Sequence, residues 1–265
     1  MGALDGRDLV FLEQLLLQHK PRTVAEIGCA SGLSTSMLQM MTEQYGGSNI
    51  RSFDLAEKFY GDPDKYTGYL LDEVPERNKT KVKLFTGHIS LDLWRYYERE
   101  QIDLCFIDAC HLNPWPTIDT LAVLPLMKPG GLIVHHDLTM FRSRVPLYAT
   151  GPKLIYEFVP DDLMISPDVE KEGGLISGLS TREVVGNVFA IRRPLDIKKL
   201  ALKLSQLFMI GWDVERRPNV DLVSTEHSDR LEHFLETEYS PWFAKNYLIG
   251  KNRYLRSKDR SEEAT

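Results

Sequence analysis

Five short segments of this chain that read as strands each lead to residues that can bind ions, accept hydrogen bonds or move protons. Glu26 with Gly28 and Gly32 follows the first, Asp54 the second, and His88 with Ser90 the third; Asp108 with His111 follows the fourth, and His135, His136 and Asp137 the fifth. Two carboxylates beside imidazoles can hold a divalent ion, or hold an acceptor hydroxyl while a neutral imidazole takes its proton. A glycine turn at the carboxyl end of a strand brings bare backbone N–H groups close to a ligand. The recurrence of these residue types at successive run ends marks them as one site. His135 and His136 alternate across their run, so at least one of them is structural. His19, His227 and His233 fall on expected surface helices and carry no chemistry in this reading.

The elements that must position these residues follow from periodicity and punctuation. Leu9, Leu12, Leu15 and Leu16 predict a helix over 8–19, stopped by Pro21. A strand over 23–27 leads through the glycine turn into a helix over 33–44, with Ser31 and Ser34 where a helix start wants hydroxyls and Leu33, Met37, Leu38 and Met41 on its buried side. Further strands are expected at 49–54, 81–86, 102–108 and 132–136, with a short helix over 66–74 and helices over 91–100 and 116–127 between them, and a turn at 128–131. A helix over 153–159 precedes a closing strand pair, 163–166 and 187–192, which brackets a glycine-rich excursion (Gly173, Gly174, Gly178, Gly186). Helices at 195–212 and 228–239 follow, and the last ~10 residues read as polar and disordered. Apolar strands alternating with helices predict an α/β fold, a doubly wound, mostly parallel sheet covered on both faces. Residues 1–194 would form that domain, and 195–265 a helical C-terminal extension.

Composition narrows the classes. With 43% hydrophobic residues among 265 the chain can bury a large core, and a net charge of −6 leaves no electrostatic footprint for nucleic acid. No apolar run reaches the ~18 residues of a membrane span. Residues 1–5 lack the basic and apolar regions of a secretory leader. Cys29, Cys105 and Cys110, without CxxC spacing, read as buried thiols of a cytoplasmic protein.

The stretch Glu26-Ile-Gly-Cys-Ala-Ser-Gly32 resembles the first motif of class I S-adenosylmethionine-dependent methyltransferases, closest to the catechol and caffeoyl-CoA O-methyltransferase variant. Asp54, 28 residues after Glu26, matches the acid that holds the ribose hydroxyls in that family; His88 to Ser90 falls on its adenine-contacting segment, and 106–137 resembles its fourth and fifth motifs. The likeness covers about residues 20–140. It implies a seven-stranded Rossmann-like sheet and S-adenosylmethionine as cofactor, held by Glu26, Gly28, Cys29, Ala30, Ser31, Gly32, Asp54, His88, Ser90 and Asp108. The set of Asp108, His111 and Asp137 points to a small-molecule hydroxyl as acceptor, and the histidines and acids suit a polar one, a sugar or secondary metabolite. Asp108 and Asp137 match the family's metal-holding acids, for Mg²⁺ or Mn²⁺, but Leu138 stands where the family has an amide. His111 matches the basic residue three after the first acid and is the expected base, with Asp108 and His136 beside it. Residues 59–69, the Trp115 loop and 139–151 would wall the acceptor pocket, and the C-terminal helices would serve a homodimer.

A nicotinamide enzyme is the competing reading, since an acid at the second strand end also suits NAD, but GxGxxG is absent because Ala30 stands at the middle glycine. An oxidoreductase or hydroxylase-like enzyme on the same fold, and a non-catalytic binder of the same cofactor, are the remaining alternatives. Local readings compete too: Asp108 as a cap of the next segment, and His111 as a loop residue packed on Trp115.

Overall fold

In the computed structural model, which describes residues 4–73, 80–142, 149–167, 186–212 and 225–262, the apolar runs become strands of a single sheet. Helix α1 (Gly6–His19) starts at Asp5, whose carboxylate accepts from the Arg7 and Asp8 N–H groups, and ends at Lys20 in the left-handed conformation. Strand β1 (Thr23–Ile27), helix α2 (Leu33–Glu43), β2 (Asn49–Asp54) and β3 (Lys81–Thr86) follow. Next come β4 (Ile102–Ile107), α3 (Trp115–Val123), β5 (Met127–His135) and α4 (Gly151–Phe158), and the sheet ends with β6 (Met164–Ile165) and β7 (Phe189–Arg192). Helices α5 (Lys198–Ser205), α6 (Thr225–Glu238) and α7 (Pro241–Glu262) complete the chain.

The sheet order is β3-β2-β1-β4-β5-β7-β6, with the first five strands parallel and β7 antiparallel to both β5 and β6. Strand order reverses between β1 and β4, which leaves a crevice at their carboxyl ends. Alternate strand residues feed two cores. Val24, Ile50, Leu104, Phe106 and Val134 pack against Leu12 and Leu16 of α1 and Leu38 of α2. Ala25, Ile27, Phe53, Cys105 and Ile133 face α3, α4 and the C-terminal helices, through Leu204, Phe208, Leu235 and Tyr247 among others. The helices after residue 195 thus share a core with the sheet. No helix among the described residues is long and apolar enough to cross a membrane.

Several local expectations give way to the structure. The buried side of α2 is largely hydroxyl and amide (Thr35, Ser36, Gln39 and Thr42 beside Leu38), whereas Leu33 is exposed. This is because Thr35 serves Glu26 and Thr42 meets Thr80. Gly32 rather than a serine caps α2, and Ser34 turns to Glu26 instead. The segments expected as helices at 66–74 and 91–100 are 3-10 turns, Tyr69–Glu73 and Ser90–Arg95, with Val74 outside the described residues. Helix α3 stops at Val123: Leu124 is still helical and its N–H donates to the Thr120 carbonyl, but Pro125 has no N–H to continue the ladder. The expected 195–212 helix is α5 followed by a 3-10 turn, Gln206–Met209. Of the expected disordered tail, the residues up to Glu262 are the last turns of α7, which Phe243, Tyr247 and Tyr254 anchor in the core upstream, and 263–265 lie outside the described residues. Of the glycine-rich excursion only Gly186 lies within the described residues, as do only the ends of the 139–151 wall.

Candidate active site

Gly28, the first residue after β1, has φ +95°, and a Cβ there would sit 2.2 Å from the Asp108 carbonyl oxygen. Only glycine lets the β1–α2 turn lie against the end of β4 in this way. Ala30 also takes a positive φ, +49°, which turns successive N–H groups the same way. The Cys29 and Ala30 N–H groups donate to Asp54 Oδ2 at 2.9 Å each, and Ala56 N–H donates to Oδ1 at 2.8 Å. The turn is clamped from outside by Gly68 N–H on the Ala30 carbonyl (2.8 Å) and Leu70 N–H on the Ser31 carbonyl (3.0 Å).

Around this turn opens a cavity of about 380 Å³, within the usual range for small-molecule sites. Gly28, Ala30, Asp54, His88, Ser90 and Asp108 line it, joined by Tyr60, Cys110, Trp115, Asp119 and His227. Glu26, Cys29, Ser31, Gly32, His111, His136 and Asp137 stand behind or beside that lining rather than in it.

Glu26 is fully buried, and its carboxylate accepts from three hydroxyls: Ser34 at 2.6 Å, Thr35 and Ser52. Burial raises its pKa from 4.5 to about 7, although the three hydroxyls pull the other way. The folded chain therefore holds this proton more tightly than the unfolded one. The resulting stabilisation is complete below pH 4.5 and is lost as pH rises through about 7, a change of about 3 kcal/mol. Glu26→Gln keeps a buried amide among the hydroxyls but cannot ionise. Relative to the wild type, it should gain stability between pH 5 and pH 8 by roughly that amount in urea titrations, by the same linkage. Equal pH slopes for the two proteins would count against this account. Cys29 is also buried, and burial lifts its thiol to about 12, so it is a packing residue rather than a nucleophile.

His88 is held at both nitrogens, Nδ1 on the Thr86 carbonyl (2.6 Å) and Nε2 on the Tyr96 hydroxyl (2.7 Å). It belongs to an aromatic wall in which Phe53 and Phe85 stack at 5.0 Å. His135 is structural. The Thr120 hydroxyl gives its one proton to the Pro116 carbonyl at 2.6 Å, so His135 Nε2, 3.0 Å away, must donate to Thr120. Burial pushes its pKa down to about 3, and its ring stacks on Phe189.

Asp108, His111, His136 and Asp137 form the second centre. His111 Nε2 lies 3.2 Å from both Asp108 Oδ1 and Asp137 Oδ2. His136 Nδ1 lies 3.0 Å from Asp108 Oδ1, with its ring wholly enclosed. Burial would raise the Asp108 pKa, but the hydrogen bonds and charge of the two histidines hold it below the ordinary value. His136 is pushed down by burial and pulled up further by Asp108 and Asp137, ending above its ordinary value. Asn187, just ahead of β7, completes the group. Its Oδ1 accepts from the Thr139 N–H (2.8 Å) and hydroxyl (2.6 Å), which turns Nδ2 to donate to Asp137 Oδ1 at 2.9 Å. Leu138, where the family's amide stands, is buried in the core.

Asn187 and Asp119 were outside the sequence reading. Asp119 had a visible signal, as a lone acid inside the apolar run 118–124. Asn187 had none, because it reaches Asp137 only through the antiparallel pairing of β7 with β5.

A sheet in the order 3-2-1-4-5-7-6 with β7 reversed, and a glycine turn and acids at its switch point, define the class I methyltransferase type of fold. Residues 25–138 match the family model described as a methyltransferase domain. No curated protein matches the chain significantly. Similar solved structures include an O-methyltransferase from Bacillus cereus in complex with S-adenosylhomocysteine (SAH), at 20% identity over 72% of this chain and 82% of that one, TM-score 0.47. Another is the O-methyltransferase TomG from Streptomyces achromogenes in complex with S-adenosylmethionine, at 18% identity over 72% and 81%, TM-score 0.48. A third is a Staphylococcus aureus protein assigned as a caffeoyl-CoA O-methyltransferase, at 18% identity over 52% of this chain and 60% of that one, TM-score 0.39. The strand order, not these likenesses, carries the fold assignment.

Proposed function

We propose that the protein transfers the methyl group of S-adenosylmethionine to a hydroxyl of a small molecule. The observation that carries this reading is the meeting of the Gly28 turn, Asp54 and Asp108 on one cavity at the switch point. The cavity fits the cofactor: Gly28 exposes backbone, Asp54 offers carboxylate oxygens for a ribose diol, and Ser90 Oγ is buried without a partner at hydrogen-bonding geometry. Bound there, the sulfonium supplies the electrophilic methyl group.

The chain's own part is proton handling and orientation. With Nε2 directed at two carboxylates, His111 carries its proton on Nε2 and leaves Nδ1 to take the acceptor's proton. Asp108 and Asp137 then stabilise the imidazolium, and Asn187 and His136 keep the two acids in place.

A second reading rests on the donor atoms of Asp108, His111 and Asp137 lying within 4.8 Å of one another. Asp108 and Asp137, with His111 as third donor, would hold Mg²⁺ or Mn²⁺, an oxygen-rich set that suits such ions. The ion would acidify the acceptor hydroxyl. A cation on Nε2 would end the base role of His111, so the two readings exclude each other at that atom. Calorimetry should show SAH binding and no NAD binding; NAD binding alone would sink the methyltransferase reading. Methyl transfer that survives chelation supports His111 as base, and transfer restored only by Mg²⁺ or Mn²⁺ supports the cation.

A further inference from the structure

Asp137 carries its carboxylate on a left-handed backbone, φ +58°. A residue with a Cβ seldom takes that conformation and keeps it where its surroundings over-determine it. Here Asn187 does so by gripping the chain on both sides of the strained residue. Its carbonyl accepts from the Leu138 N–H at 3.1 Å, and its Oδ1 from the Thr139 N–H and hydroxyl. Its Nδ2 donates to Asp137 Oδ1 at 2.9 Å and lies 3.4 Å from His136 Nε2. The turn after β5, residues 136–139, is thus clasped by a single asparagine.

What holds Asn187 comes from the other end of the chain. Its backbone N–H donates to Asp8 Oδ1 at 2.8 Å, across 179 residues of sequence. Asp8 is fully buried in the first turn of α1, and its Oδ2 accepts from the Asp5 N–H at 3.2 Å. A buried acid is costly unless its oxygens are used, and both of these are. Helix α1 gives Asp8 a fixed base, since Phe11, Leu12, Leu15 and Leu16 share a core with Val24, Leu104 and Val134 of the sheet. Polar contacts therefore run without a break from this packed helix through Asn187 to Asp137, whose Oδ2 is 3.2 Å from His111 Nε2.

We propose that Asp8 is a positioning residue for the centre of Asp108, His111 and Asp137. By fixing Asn187 it holds Asp137 turned toward His111, which makes the first helix part of the scaffold of the site. This rests on the reading of that centre as the proton-handling end of methyl transfer. Asp5 caps the same helix through the Arg7 and Asp8 N–H groups, so its loss removes the cap while leaving the Asp8 acceptor in place.

The test is the exchange of the His111 Nε2 proton with water, read by NMR in the full chain with isotope-labelled histidine. Chelator is present, and the signal is identified by its loss in His111→Ala. Held between two carboxylates at 3.2 Å, this proton should give a resolved signal in the wild type. Asp8→Ala, Asn187→Ala and Asp8→Leu, which fills the space without an acceptor, should each speed its exchange at least about tenfold. Combining Asp8→Ala with Asn187→Ala should add nothing beyond Asn187→Ala, because both act through one contact. Asp8→Asn keeps an acceptor for the Asn187 N–H, and Asp5→Ala removes only the cap, so both should stay within about twofold of the wild type. SAH affinity, by calorimetry, should stay within about twofold in every one of these Asp5, Asp8 and Asn187 variants.

The proposal is overturned if the wild type shows no such signal, or if neither Asp8→Ala nor Asp8→Leu speeds exchange. It is also overturned if Asp5→Ala speeds exchange as much as they do, or if a folded Asp8→Asn loses the signal. Additive effects in the double variant, or a parallel fall in SAH affinity, overturn it too. A wild type that does not bind SAH overturns the methyltransferase reading, while the exchange rates still decide the role of Asp8.

Discussion

Alanine at position 28 should leave a protein that binds SAH at least about a hundredfold more weakly and has lost about 3 kcal/mol of stability. Two costs add. The φ of +95° is left-handed territory, worth roughly 1–2 kcal/mol against a side chain. The new Cβ would also lie 2.2 Å from the Asp108 carbonyl oxygen and 2.7 Å from the Ala109 nitrogen, backbone atoms that cannot rotate away. Relief requires the β1–α2 turn and the end of β4 to part, which moves the Cys29 and Ala30 N–H groups away from Asp54 and shifts Asp108. Gly130 is the control. It has φ +78°, but a Cβ there would meet nothing within 4 Å, so Gly130→Ala should cost only about 1 kcal/mol and leave SAH binding intact. Thermal denaturation and calorimetry of the two variants separate clash from conformational preference. Equal losses at both positions would refute the close-approach argument.

His111→Ala should reduce methyl transfer by about 10²- to 10⁴-fold, the usual contribution of a positioned base. SAH affinity should stay within about threefold of the wild type, because His111 stands outside the cavity lining. The carboxylates of Asp108 and Asp137 meet at its Nε2, 3.2 Å from each, so its removal takes away their shared partner. A variant that transfers methyl groups at the wild-type rate would reduce His111 to a loop residue beside Trp115. A parallel loss of SAH binding would instead assign it to the cofactor site.

Strand ends were the legible part of this chain. Asp54, Ser90 and Asp108 could be placed from sequence because each lies at or within four residues of the end of an expected strand, and a parallel sheet brings all such ends to one side. Side-chain direction was not legible. Glu26 sits at a strand end like Asp54, yet it turns inward to Ser34, Thr35 and Ser52, whereas Asp54 lines the cavity. The alternation of His135 and His136 indicated that one would be structural, but choosing between them required Thr120 and Phe189. Helix α7 was missed because Phe243, Tyr247 and Tyr254 are set among lysines and arginines, which weakens the apolar period until α6 and the turn Gln206–Met209 are there to receive them. Asn187 depended on a pairing between strands far apart in sequence, which local patterns do not carry.

Helix α6 is fastened beside the site by Arg230 on Asp92, at 2.6 Å, and by Phe234 against Trp94. It delivers His227 to a cavity whose other walls are complete by residue 119. On the ribosome, the five parallel strands therefore emerge well before the last wall does. The pocket is therefore whole only in the complete chain, because one flank is made by a helix encoded about a hundred residues after the rest of its lining.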